Sequence, residues 1–233
     1  MISEMFAHGF IQRAFIGGVL VSLCAALLGV SLVLKRYSMI GDGLSHVSFG
    51  ALSIAIALGF APIKFSIPIV IIAAFFLLRL AENGKMKSDA AIAMVSASSL
   101  AIGVIVTSLT TGLSTDVCSY MFGSILAMSK DDVIFSVVLS VVVLIMFGFC
   151  YNRIFAVTFD ESFSKATGVK VGMYNTLISI FTAVTVVLGI KMMGAMLISS
   201  LIIFPALTSM RVFKSFLSVT ICSAILAVIN FTA

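Results

Sequence analysis

The chain has 233 residues, 61% of them hydrophobic and 10% charged, with a mean hydropathy of +1.27. With 20 Phe and 13 Met against 3 Pro and no Trp, it holds more apolar surface than one water-soluble core of this size can bury. That excludes a soluble globular domain and makes the bilayer the solvent. The net charge of +5 does not indicate nucleic acid, because the 14 basic residues are scattered through short polar breaks and form no basic domain.

Apolar runs recur along the whole length, each near the roughly 20 residues that a helix needs to cross a hydrocarbon layer of about 30 Å. Met1–Gln12 is mixed in character and lacks the pattern of a cleaved signal, so the first run, Ala14–Leu34, reads as a membrane span. Spans at Leu44–Phe60 and Phe65–Leu80 follow, joined by a hairpin at Ala61–Lys64 that Pro62 marks. Ala81–Asp89 is a polar turn, and Ala90–Leu109 is the fourth span. Thr110–Asp132 is a longer, half-apolar loop carrying Asp116, Asp131 and Asp132, and Val133–Tyr151 is the fifth span.

Between Asn152 and Gly172 lies the longest stretch that is neither a span nor a simple turn. Its core, Asp160–Gly168, has the signals of a short helix: Asp160 as cap, Glu161 in the first turn, Phe163 as the one large apolar side chain, and Gly168 as the stop. Spans at Tyr174–Met192, Met196–Met210 and Phe216–Phe231 complete the chain. Gly189–Gly194 is too short for an ordinary loop, which predicts a tight reversal or a broken helix, and Pro205 interrupts the run after it. The expected fold is therefore an all-α polytopic bundle of about eight spans in a single domain over residues 1–233. Small residues such as Gly17, Gly18, Gly29 and Gly103 favour close helix packing.

Orientation explains the basic residues. With the loop after the fifth span cytoplasmic, ten of the 14 fall inside, and only Arg13, Lys64, Lys130 and Lys191 fall outside. Cys24, Cys118, Cys150 and Cys222 show no Cys-x-x-Cys spacing and read as small packed side chains.

Few residues remain to carry chemistry. The sequence has no phosphate-cradling Gly-x-x-x-x-Gly-Lys-Ser/Thr, no His-Glu-x-x-His and no nucleophile elbow, so ATP binding, metalloprotease chemistry and serine hydrolysis are not expected of it. Asp42 and His46 stand nearly alone, four residues apart between two apolar runs. On a helix they share one face, about 6 Å apart along the axis. In one reading Asp42 caps the helix and His46 satisfies a neighbouring carbonyl. In the other they bind a cation, and an oxygen–nitrogen pair suits Mn, Zn or Fe(II) better than Cu(I). One Asp and one His are too few to hold a metal alone, and a two-fold dimer with the pair at its axis would bring four ligands together. The Met residues, densest at Met192, Met193 and Met196, read as packing and not as a copper path.

Leu34–His46, Asp89–Met94, Phe122–Ala127, Phe159–Gly168 and Gly194–Ala206, in this order, resemble the membrane permease subunits of bacterial ATP-binding-cassette importers for manganese, zinc or iron. The resemblance implies a homodimeric, multi-pass permease of the bacterial cell membrane. It also implies two cytoplasmic ATPase subunits that hold the ATP, and an extracytoplasmic metal-binding protein that delivers the ion. No permanently bound cofactor and no nucleic acid are implied, and the chain itself is not an enzyme. By this resemblance Asp42 and His46 line the path and bind the divalent metal. A segment of about 158–172, with Asp160, Glu161, Phe163 and Gly168, couples to the ATPase. Family members usually continue past the position of Ala233, so the chain is expected to be short at its C-terminus. The alternatives are a permease for iron chelates or vitamin B12, a secondary carrier without an ATPase, and a non-transporting membrane assembly or sensor protein.

Overall fold

The computed structural model describes residues 9–37, 39–82, 88–110, 123 and 130–232. Among them the regular structure is helical: α1 (Gly9–Leu34), α2 (Ile40–Ala57), α3 (Pro62–Glu82), α4 (Ser88–Leu109), α5 (Lys130–Phe159), α6 (Glu161–Ala166), α7 (Val171–Met193), α8 (Ala195–Val212) and α9 (Phe216–Thr232). Six of these, α1, α2, α4, α5, α7 and α8, are long and apolar enough to span a bilayer, while α3 and α9 contribute the shorter apolar stretches Pro62–Leu77 and Phe216–Thr232. Lys85, Lys87, Asp116, Cys118 and the Phe122–Ala127 motif apart from Gly123 lie outside the described residues.

Helix α7 occupies the middle of the bundle, packed against α1, α2, α3, α5 and α8. It is apolar on every side, as a helix surrounded by other helices must be, and 78% of its spanning stretch is buried, against 22% for α4 and 28% for α5 at the periphery. Contacts between small residues and their neighbours fix the directions. Gly43 lies against Ile92 and Gly50 against the Ser99 carbonyl, so α2 and α4 run parallel. Gly17 meets Val133, and Cys24 Sγ donates to the Ser140 carbonyl at 3.4 Å, so α1 and α5 also run parallel. Helices α1 and α9 are antiparallel, with Gly18 against Phe231 and Ser223 Oγ donating to the Ala26 carbonyl at 3.5 Å.

This alternation gathers Lys35, Arg36, Arg79, Arg153, Lys165, Lys170, Arg211 and Lys214 at one end of the bundle with α6, and leaves Lys64 and Lys191 toward the other. The distribution has the form that orients membrane proteins with the basic end in the cytoplasm.

Where the boundaries depart from expectation, packing is the reason. Helix α2 starts at Ile40 and not at Leu44, because Gly41 and Gly43 are not loop residues. They are points where Ile202 on one side and Ile92 and Leu77 on the other press against the helix. Helix α5 continues past Tyr151 to Phe159 because Ile154 and Val157, three residues apart and both fully buried, keep an apolar face beyond Asn152 and Arg153.

Gly194 alone separates α7 from α8, at φ +84°. A Cβ on Gly189 would lie 2.4 Å from Ile198 Cδ1. Nine residues of continuous helix would hold these positions about 13 Å apart, so the chain doubles back at Gly194, a tight reversal. Helix α8 runs unbroken through Pro205, which is buried. Helices α1 and α8 approach closely, and a Cβ on Gly29 would lie 2.0 Å from the Ile202 carbonyl oxygen.

Candidate functional site

Helix α2 carries Asp42 as its third residue and His46 one turn later. Their side chains meet, with His46 Nε2 3.7 Å from Asp42 Oδ2. The capping reading of Asp42 does not hold: Met39 occupies the cap position and no side chain caps the helix. As an acid in the first turn Asp42 still favours the helix start electrostatically, and its oxygens are not consumed by backbone N–H groups there.

Depth follows from the neighbours. Ile202 packs against both Gly29 of α1 and Gly41 of α2, which puts the start of α2 level with a point about 8 Å inside the basic end of α1. His46 lies a further turn toward the middle of the bundle. An ionisable pair at that depth is costly unless its members pair with one another or face a water-filled cavity.

The pair faces open space. The Asp42 and His46 side chains are 45% and 28% exposed, whereas Leu44, Ser45, Val47 and Ser48 on the other faces of α2 are buried. One cavity of about 260 Å³ is lined by Met39, Asp42, His46, Ile92, Ser96 and Leu100 among others, and a second of about 150 Å³ adds Phe49, Ala195 and Met196 around the same pair. Helices α2, α4 and α8 therefore converge on Asp42 and His46. The Ser96 hydroxyl is buried beside them without a hydrogen-bond partner, and Ser45 Oγ and Ser199 Oγ, 3.1 Å apart, fasten α2 to α8 just behind. Among the described residues no third His, Cys, Asp or Glu joins the pair. A carboxylate and an imidazole with room for water are donor types that divalent cations take.

The second predicted site is the short helix at the basic end. Asp160 caps α6 in extended conformation (φ −147°, ψ 102°), its Oδ1 accepting from Phe163 N at 2.9 Å. The end of α6 is a paired closure. Gly168, at φ +80°, donates its N–H to the Lys165 carbonyl, and Val169 donates to the Ser164 carbonyl at 2.9 Å. Phe163 is 65% exposed while Ser164 is buried, so α6 holds one face to the bundle and presents its only large apolar side chain outward.

Glu161 opens α6 and accepts from Lys35 Nζ at 2.8 Å and from Asn175 Nδ2 at 3.1 Å. Burial pushes its carboxyl up, but those two hydrogen bonds and the charges of Lys35 and Lys165 outweigh it and hold the group below its ordinary value. In the sequence Lys35 is one of the ten basic residues expected on the cytoplasmic side, and neither it nor Asn175 is expected to touch α6. The signal available was Asn175, a polar residue inside the predicted Tyr174–Met192 span. Cys24, Cys150 and Cys222 are free thiols, and Met192 and Met193 are packed in the core.

A family model described as the ABC 3 transport family matches residues 7–233. The manganese import system permease protein ScaB of Streptococcus gordonii is 28% identical over 93% of this chain and 78% of its own length. The high-affinity zinc uptake system membrane protein ZnuB of Haemophilus influenzae is 28% identical over 85% of this chain and 76% of its own. Among solved structures, PsaBC from Streptococcus pneumoniae in complex with Fab superposes with a TM-score of 0.84 at 27% identity, covering 98% of this chain and 84% of that one.

Proposed function

Since the chain belongs to the ABC 3 transport family, we propose that it is the multi-pass permease subunit of a bacterial ATP-driven importer, and that its cargo is divalent manganese or zinc, bound in passage by Asp42 and His46. The observation that carries the cargo site is the pairing of these two side chains on one face of α2, near mid-depth, where they open onto a cavity. Relatives named for manganese and for zinc support the class of cargo, and the carboxylate–imidazole set serves both ions. A second copy of the chain, related by a two-fold axis, would complete the coordination with its own pair.

Energy enters from a separate cytoplasmic ATPase docked on α6. Phe163 is the apolar anchor for that contact, with Asp160 and Gly168 fixing the ends of the helix and Glu161 tying it to the bundle. Closure of the ATPase pair on ATP moves α6, the bundle opens outward to take the ion from an extracytoplasmic binding protein, and hydrolysis returns it inward. Asp42 and His46 take the ion weakly enough to release it.

The chelate-importer reading fits less well. The relatives are named for manganese and for zinc, and a carboxylate with an imidazole offers donors for the bare ion itself. The test is uptake into vesicles that hold the permease with its ATPase and binding protein. Mn²⁺ or Zn²⁺ should accumulate only when ATP is supplied to the ATPase face. Uptake driven by a proton or sodium gradient without ATP would identify a secondary carrier instead.

A further inference from the structure

The turn between α1 and α2 is tied to α6 by a buried charge. Lys35, one residue past the end of α1, has its side chain only 6% exposed, with Nζ 2.8 Å from Glu161 Oε1. The same ammonium donates to Asn175 Oδ1 of α7, and Asn175 Nδ2 closes the triangle on Glu161 Oε1 at 3.1 Å. Three elements meet at this point: the α1–α2 turn, the first residue of α6, and the second turn of α7.

The described residues around Lys35 are held by backbone hydrogen bonds. Arg36 is held in the left-handed region at φ 61°, an unfavourable place for a non-glycine residue. Its N–H donates to the Val33 carbonyl at 3.1 Å and that of Tyr37 to the Leu32 carbonyl at 2.9 Å. The Ile40 N–H donates to the Tyr37 carbonyl at 3.0 Å, so hydrogen bonding carries directly into α2. Asp42 follows in the first turn of that helix.

We propose that Lys35, Glu161 and Asn175 are positioning residues that transmit displacement of α6 to α2, and so set where Asp42 and His46 stand. The proposal rests on the reading of α6 as the ATPase-docking segment. The Lys35 ammonium cannot leave its carboxylate cheaply, because without Glu161 it is stranded away from water, whereas the Glu161 carboxylate, 38% exposed, keeps part of its hydration. A shift of α6 therefore drags Lys35, and the hydrogen bonds of Arg36, Tyr37 and Ile40 connect that shift to α2.

The experiment uses the complete assembly in vesicles, with permease, ATPase and binding protein, and reads Mn²⁺ ions imported per ATP hydrolysed. Lys35→Met should leave ATPase co-purification intact and lower that ratio by about tenfold, within the roughly 5- to 150-fold span of coupling free energies. Lys35→Arg, which keeps the charge and a donor, should restore most of the ratio. If Lys35→Met does not accumulate, Glu161→Gln, nearly isosteric and still able to accept from Asn175, should lower the ratio in the same direction. A wild-type ratio in the variant that folds overturns the proposal. So does a parallel fall of uptake and hydrolysis at constant ratio, which marks a purely structural contact. Phe163→Asp is run alongside to test the docking reading itself. Its loss of ATPase co-purification upholds that reading, and retained co-purification removes it whatever the Lys35 variants do.

Discussion

Gly29→Ala is the sharpest perturbation of the packing that positions α2. The added Cβ would stand 2.0 Å from the Ile202 carbonyl oxygen, 2.9 Å from its carbonyl carbon and 3.2 Å from its Cα. All three obstacles are backbone, so no side-chain rotation relieves them. A tolerable C···O contact is about 3.3 Å, so α1 and α8 must part by about 1.3 Å at their closest point. Overpacking of this kind costs typically 1–3 kcal/mol, and a rigid obstacle puts the cost near the top of that range, about 3 kcal/mol. For a chain of this size that lowers the unfolding midpoint by about 6–12 °C. The strain also reaches the site, because Ile202 Cδ1 lies 3.0 Å from where a Cβ on Gly41 would be, one residue before Asp42. Thermal unfolding of the purified protein in detergent measures the effect, with Gly148→Ala as control. Nothing lies within 4 Å of a Cβ at Gly148, and alanine there should be neutral or stabilise by about 0.5–1 kcal/mol. A Gly29→Ala midpoint equal to that of Gly148→Ala would refute the close approach of α1 and α8.

Asp160→Ala removes the side-chain acceptor for Phe163 N and should destabilise α6 by about 1 kcal/mol, whereas Asp160→Asn should cost little; hydrogen exchange of the α6 amides distinguishes them. Glu161 has its carboxyl held below the ordinary value of 4.5. The ionised group therefore contributes stability that is fully present above about pH 4.5 and is lost as pH falls through its depressed folded value. Denaturation of wild type against Glu161→Gln should show a constant gap at neutral and mildly acidic pH that closes only in stronger acid. A gap that closes above pH 5 would contradict the Lys35 and Asn175 partnership.

The spans were legible because a bilayer demands long apolar runs, and the ends of α6 because Asp160 and Gly168 are local signals acting within one turn. Asp42 and His46 were legible for the same reason, since their meeting needs only a helix between them. What was misread depends on neighbours far away in sequence. Gly41 and Gly43 look like a loop until Ile202 and Ile92 are seen pressed against them. Lys35 meets partners 126 and 140 positions along the chain, a distance over which no spacing rule operates. The walls around the Asp42–His46 cavity, Leu100 from α4 and Met196 from α8, likewise exist only once the helices have packed.

The measurement that bears most directly on the central claim is metal coordination and transport by the same pair. X-ray absorption at the metal edge of the assembled importer loaded with Zn²⁺ should show imidazole nitrogen in the first coordination shell of the wild type. That signal should vanish in His46→Ala, and ATP-driven Zn²⁺ uptake should fall by about 10-fold or more in both His46→Ala and Asp42→Asn, since loss of a mere supporting partner of a metal ligand already costs roughly 10–100-fold. An imidazole signal that survives in His46→Ala, together with wild-type uptake by both variants, would mean that the ion takes another route and that Asp42 and His46 are not its site.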